Sequence, residues 1–157
     1  MPGHTDQGVT VALSVRERIL QAIASILETV AIASAATLIR SPTTPVTREQ
    51  SPALLLVPES DQVTARPNDR VERQLVLRIT SVARDDGSRL AHAVADELLV
   101  AAHQALFAHS PFGGLAIGLQ ELDCDWQEED ADAGLAAMPA RYQITYRTLA
   151  ADISQLG

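Results

Sequence analysis

The stretch from Arg89 to His109 constrains this chain most. Turn signals bracket it, with Asp85, Asp86 and Gly87 before and Pro111, Gly113 and Gly114 after, and nothing inside breaks a helix. On a helical wheel Leu90, Val94, Leu98, Ala101, Ala105 and Leu106 form one stripe, as a core face requires. Leu99, Val100 and Phe107 fall near the opposite side, among His92, Asp96 and His103. A helix apolar on more than one face needs cover twice, once from its own sheet and once from something else. Ser88 or Asp86 is placed to cap its start.

The rest of the chain supplies a partner layer. Ser14 and Glu17 have capping-box spacing, and Val15, Ile19, Ile23, Ile26, Leu27 and Val30 follow at helical intervals. Residues 36–40 form a short strand candidate, and residues 53–57 are an apolar run between Pro52 and Pro58. Residues 59–69 read as an exposed loop or hairpin arm. Residues 71–82 alternate, with Leu75, Leu77 and Ile79 on one side. A strand opens at residues 115–119, and Leu122, Cys124 and Trp126 continue it in the opposite parity, so a bulge belongs near Gln120. Residues 141–148 put Tyr142, Ile144 and Tyr146 on one face.

The order α-β-β-β-α-β-β predicts an α+β fold, a single mixed or antiparallel sheet of about four to five strands against two main helices. Residues 1–13 read as a flexible arm and residues 14–157 as one domain. With 157 residues, 46% of them hydrophobic but only 3% aromatic, the single core must be filled by Leu, Ile, Val and Ala. Cys124 has no intramolecular partner, and residues 1–8 lack a basic n-region, which predicts a reducing compartment. The longest apolar stretch, residues 15–39, is interrupted by Arg16, Glu17, Arg18, Gln21 and Glu28, so no membrane span is expected.

Charge is concentrated. Seven of the 20 acidic residues, Glu121, Asp123, Asp125, Glu128, Glu129, Asp130 and Asp132, occupy one tract free of basic residues and account for most of the net charge of −8. Such a chain gains no general counterion-release affinity for nucleic acid, which disfavours sequence-specific DNA binding. Asp123, Asp125, Glu128 and Asp130 are oxygen donors on a short segment, but the loop glycine and ligand spacing of an EF-hand are missing. A solvated acidic hairpin is the plain interpretation, and a surface that repels DNA phosphates the sharper one.

One further constellation has catalytic or metal-ligating residue types. His92, Asp96 and His103 align on one side of the second helix, where they suit a small metal-dependent enzyme. No Cys or Glu joins them at ligand spacing, the stripe lies opposite the expected core face, and a solvated or subunit-contact face is the much plainer explanation. Gly113-Gly114 follows a helix, so it is turn punctuation and not a phosphate cradle. The acidic neighbours of Cys124 raise its pKa and blunt it as a nucleophile. Trp126 and the tyrosines are expected to pack on the sheet.

Four segments together resemble the tail terminator, or tail completion, proteins of long-tailed bacteriophages: VRERILQAIASIL, PALLLVPES, AHAVADELLVAAHQAL followed by SPFGGLA, and YQITYRT. The resemblance covers nearly the whole of residues 15–149. It implies a structural α/β subunit of the virion tail, assembled in the host bacterial cytoplasm, with no cofactor and no enzymatic activity. Its implied partners are copies of itself in a hexameric ring, the tail tube protein and a head-tail connector or neck protein. On that resemblance Leu99, Val100, His103 and Phe107 become candidate subunit contacts. Glu121, Asp123, Asp125, Glu128, Glu129 and Asp130 become a candidate acidic lumen or surface. Another neck or head-tail connector component, or a minor tail protein, shares this size and class.

Overall fold

The computed structural model describes residues 12–126 and 134–157. The arm expected over residues 1–13 lies almost wholly outside the described residues. The chain forms helix α1 (Val15–Ala33), strand β1 (Thr37–Arg40), a 3-10 turn (Arg48–Gln50), β2 (Ala53–Ala65), β3 (Arg70–Arg84), α2 (Ala91–His109), β4 (Gly118–Cys124) and β5 (Leu135–Leu149). The strands make one mixed sheet in the order β1-β2-β3-β5-β4, with both helices on one side, which is the α+β architecture expected. Only β1 and β2 run parallel; every other neighbouring pair is antiparallel.

Helix α1 begins where Ser14 Oγ accepts the Glu17 N–H at 3.1 Å. The reciprocal half of the capping box gives way to a stronger partner: the Glu17 carboxylate takes the Arg40 guanidinium at 3.1 and 3.4 Å, tying α1 to β1. Val15, Ile19, Ile23, Leu27 and Ala31 succeed one another every fourth residue and are wholly buried. Ile26 and Val30 sit at the flank of that face, half-buried. Below them lie Leu54 and Leu56 of β2, Leu75, Leu77 and Ile79 of β3, and Tyr142, Ile144 and Tyr146 of β5. The strands' period-2 alternation therefore delivers the core face that the sequence predicts.

Helix α2 is rotated from expectation. Ala91, Ala95, Leu98, Ala102 and Leu106 are buried, whereas Leu90, expected in the core, is 72% exposed. The alanines explain the rotation. Small side chains let the helix lie close enough for the buried Ser81 hydroxyl of β3 to donate to the Ala95 carbonyl at 2.6 Å. Its cap also differs: Leu90 occupies the capping position, and Asp85 reaches forward to accept the Ala91 N–H at 2.7 Å. Asp86 instead folds the loop on itself, accepting the N–H groups of Ser88 and Arg89, and these bonds hold its carboxyl down at about 2. After His109 the chain turns through Phe112, Gly113 and Gly114, all at positive φ, and buries the Phe112 ring.

Strand β2 passes through Pro58 to Ala65, because register shifts at Pro58/Ser60 and Val63/Ala65 absorb residues that the ladder cannot pair. Residues 59–69 are thus a hairpin arm. At the other side of the sheet, the C-terminal turn shields the end of β5 through Leu149 N–H to Gln155 O at 3.1 Å and Gly157 N–H to Arg147 O at 3.2 Å.

Candidate functional site

The outward side of α2 carries two of the three apolar residues that the sequence places there. Val100 is 46% exposed and Phe107 42%. Leu99 departs from expectation: it lies on the flank, half-buried against the core, because the rotation of the helix swings it toward the sheet. His103, one turn before Phe107, is half-buried with its ring stacked on Phe107 at 4.8 Å between centroids. Its Nδ1 is 2.9 Å from the Tyr142 hydroxyl, a contact that satisfies a phenol buried in the core. Burial, and secondarily the Glu121 and Cys124 charges, push the Tyr142 pKa upward.

The histidine stripe is therefore divided by role. His92 and Asp96 are exposed, and His103 is engaged with Tyr142 and Phe107. Among the described residues no group of three His, Cys, Asp or Glu side chains is placed to hold a metal.

The acidic tract begins on β4, the strand at one edge of the sheet. Glu121, Asp123 and Asp125 are exposed there, while Glu128, Glu129 and Asp130 lie outside the described residues. The expected parity change is a register shift between Glu121 and Asp123, next to the predicted Gln120. It turns Cys124 inward, where burial first and the Asp123, Glu121 and Asp125 charges next push its thiol pKa up. Trp126 departs from expectation: it is 62% exposed beyond the end of β4 instead of packed on the sheet.

A cluster on the helix-free face of the sheet escaped sequence reasoning. Glu59, at the β2 register shift, accepts from Arg141 at 2.7 Å and from Arg78 at 3.4 Å, and Arg141 also donates to Asp123 at 2.9 Å. These groups line an open depression with Thr80, Asp125, Ala137 and Pro139. Alternation in β3 and β5 announces which face Arg78 and Arg141 occupy, but nothing local announces that Glu59 joins them across 82 residues.

No family model matches this chain, and no curated protein sequence matches it. Among solved structures it is similar to a chain of the virion of a native gene transfer agent particle, at 17% identity, with 88% of this chain and 97% of that chain covered and a TM-score of 0.47.

Proposed function

We propose that the chain is a structural subunit of a phage-type tail, whose copies assemble into a ring that caps the tail tube, stops its polymerisation and provides the head-tail joining surface. The observation that carries this is the pair Val100 and Phe107, exposed on a helix whose other side is already seated on the sheet. Burying such side chains against a neighbouring copy gains roughly 25 cal/mol per Å² of apolar surface. Leu99 and His103 border the same surface and complete the contact proposed there. The exposed carboxylates Glu121 and Asp125 fit a ring through which DNA passes, because they repel phosphates instead of retaining them, while Asp123 on the same strand end is balanced by Arg141. The four segments that resemble tail terminators supply the terminator role itself.

Native mass measurement and negative-stain imaging of the purified protein, alone and with tail tubes, test this proposal. Six-fold rings and capped tubes are expected. Val100→Asp with Phe107→Asp should abolish them while leaving the circular dichroism spectrum intact. A chain that remains monomeric at high concentration and binds no tube would sink the proposal.

A further inference from the structure

Histidine is the side chain whose charge changes between about pH 5 and 8, and one stands on the outward side of α2. His103 is half-buried between two rings from different elements: Phe107, one turn on in the same helix, at 4.8 Å between centroids, and Tyr142 of β5, at 5.6 Å. Its Nδ1 is 2.9 Å from the Tyr142 hydroxyl, which has no other hydrogen-bond partner among the described residues. Burial holds the phenolic proton on Tyr142, so that hydroxyl has one O–H to donate. The neutral imidazole therefore accepts at Nδ1 and carries its own proton at Nε2. Few charges surround the pair. Glu121, exposed, and Cys124 act on the Tyr142 hydroxyl from β4, the strand beside β5. Asp96 and His92, two and three turns earlier on α2, stand exposed on the same side. Helix α1 and strand β3 give His103 no hydrogen bond or ring contact, and it forms no ion pair among the described residues.

We infer that protonation of His103 releases the contact between the outward side of α2 and a neighbouring copy, so that the neutral ring is the assembling form. The inference rests on the self-assembly proposed above and names a regulation of that same surface. Two effects act in one direction. A proton on Nδ1 turns an acceptor into a donor, so the Tyr142 O–H loses the group that receives it. In the free subunit the charged ring can turn outward to water and leave the phenol to a water molecule; under a neighbouring copy it cannot. The imidazolium must also shed its own water when Val100 and Phe107 are covered, with no ion pair to offset the loss. The free subunit thus binds the proton more tightly than the assembled one. Assembly is complete above the imidazole range and declines as pH falls through it.

Analytical ultracentrifugation at about pH 8 and about pH 5.5, near the two ends of the imidazole range, tests this. Acidification should weaken wild-type assembly about tenfold, the factor that one unit of differential proton affinity gives, with the circular dichroism spectrum unchanged. His103→Gln, whose amide oxygen still accepts from Tyr142 but takes up no proton, should assemble equally at both. His92→Gln, farther along the same side of the helix, should keep the wild-type loss. Wild-type assembly that is equal at both pH values overturns the inference and leaves the ring proposal standing. So does a loss that persists in His103→Gln; its disappearance in Glu121→Gln would then assign it to the β4 carboxylate. A wild-type chain that self-associates at neither pH defeats the ring proposal itself, and this inference with it.

Discussion

The Tyr146 hydroxyl donates to Asp61 Oδ2, the same oxygen that receives the Arg16 guanidinium at 3.0 Å. Three elements meet at that atom: Arg16 stands in the first turn of α1, Asp61 on the β2 arm and Tyr146 on the core face of β5. The Asp61 side chain is only 8% exposed, so its charge needs these partners. The base of the arm is thereby fixed to the body of the sheet, a condition for any contact that the arm makes further out.

Tyr146→Phe should destabilise the protein by about 1.5–3 kcal/mol, the range for a hydrogen bond to a charged group. Arg16→Ala should cost less, up to about 1 kcal/mol, because the Arg16 side chain is 42% exposed and solvent screens its charge. Urea denaturation of both variants at neutral pH checks the order. A larger loss for Arg16→Ala would mean that the ion pair, and not the phenol, holds Asp61.

Stability should fall on the alkaline side. Burial pushes the pKa values of both Tyr142 and Tyr146 above the usual 10, and the Asp61 contact raises Tyr146 further. Above about pH 10 the unfolded chain releases phenolic protons that the folded chain keeps, so their contribution is complete below that pH and declines above it. Cys124, raised from 9.0 mainly by burial, adds in the same direction. Denaturation midpoints measured across alkaline pH should drop more steeply for the wild type than for Tyr146→Phe. Parallel profiles would show that Tyr146 titrates normally.

Which features were legible follows from how local their causes are. Leu75, Leu77 and Ile79, and Tyr142, Ile144 and Tyr146, lie where alternation puts them, since a pleated strand has no other choice once one face is buried. Ser14 caps α1 because its acceptor and the Glu17 N–H are three residues apart. The seating of α2 was not legible. Leu90 and Val94 look more like core than Ala91 and Ala95, and only the approach of Ser81 from β3 shows why small residues are required. Asp61 reads as loop surface, because its partners Arg16 and Tyr146 stand 45 and 85 residues away. Val100 and Phe107 are outward as the helical wheel places them, whereas Leu99, from the same side of the wheel, is carried to the flank by the same rotation.

The seating of α2 makes a paired prediction. Leu106 is 1% exposed, so Leu106→Ala should cost about 2–5 kcal/mol, the cost of removing a core side chain. Val100→Ala should stay within about 0.5 kcal/mol in the monomer, since little of its own chain packs on it. Chemical denaturation of each at low protein concentration measures the difference. Equal losses would show that the outward side is covered within the subunit.

The loop ahead of α2 supplies the last prediction. Asp85 Oδ1 accepts the Ala91 N–H at 2.7 Å, and the Asp85 N–H donates to the Gly134 carbonyl at 2.8 Å, so one residue fixes both the start of the helix and the approach to β5. Asp85→Ala should cost about 0.5–2 kcal/mol, as loss of a capping acceptor does, whereas Asp85→Asn should retain most of that because its amide oxygen still accepts. Gly134 has φ +93°, and an added Cβ would stand 3.1 Å from Asp85 Oδ2. Gly134→Ala should therefore cost about 1–3 kcal/mol through backbone strain, with a further loss if the cap is displaced. The Asp85→Ala, Gly134→Ala double variant separates the two causes. If the crowding acts through the cap, its loss falls short of the sum of the single losses, while a simple sum assigns the Gly134 effect to backbone conformation alone.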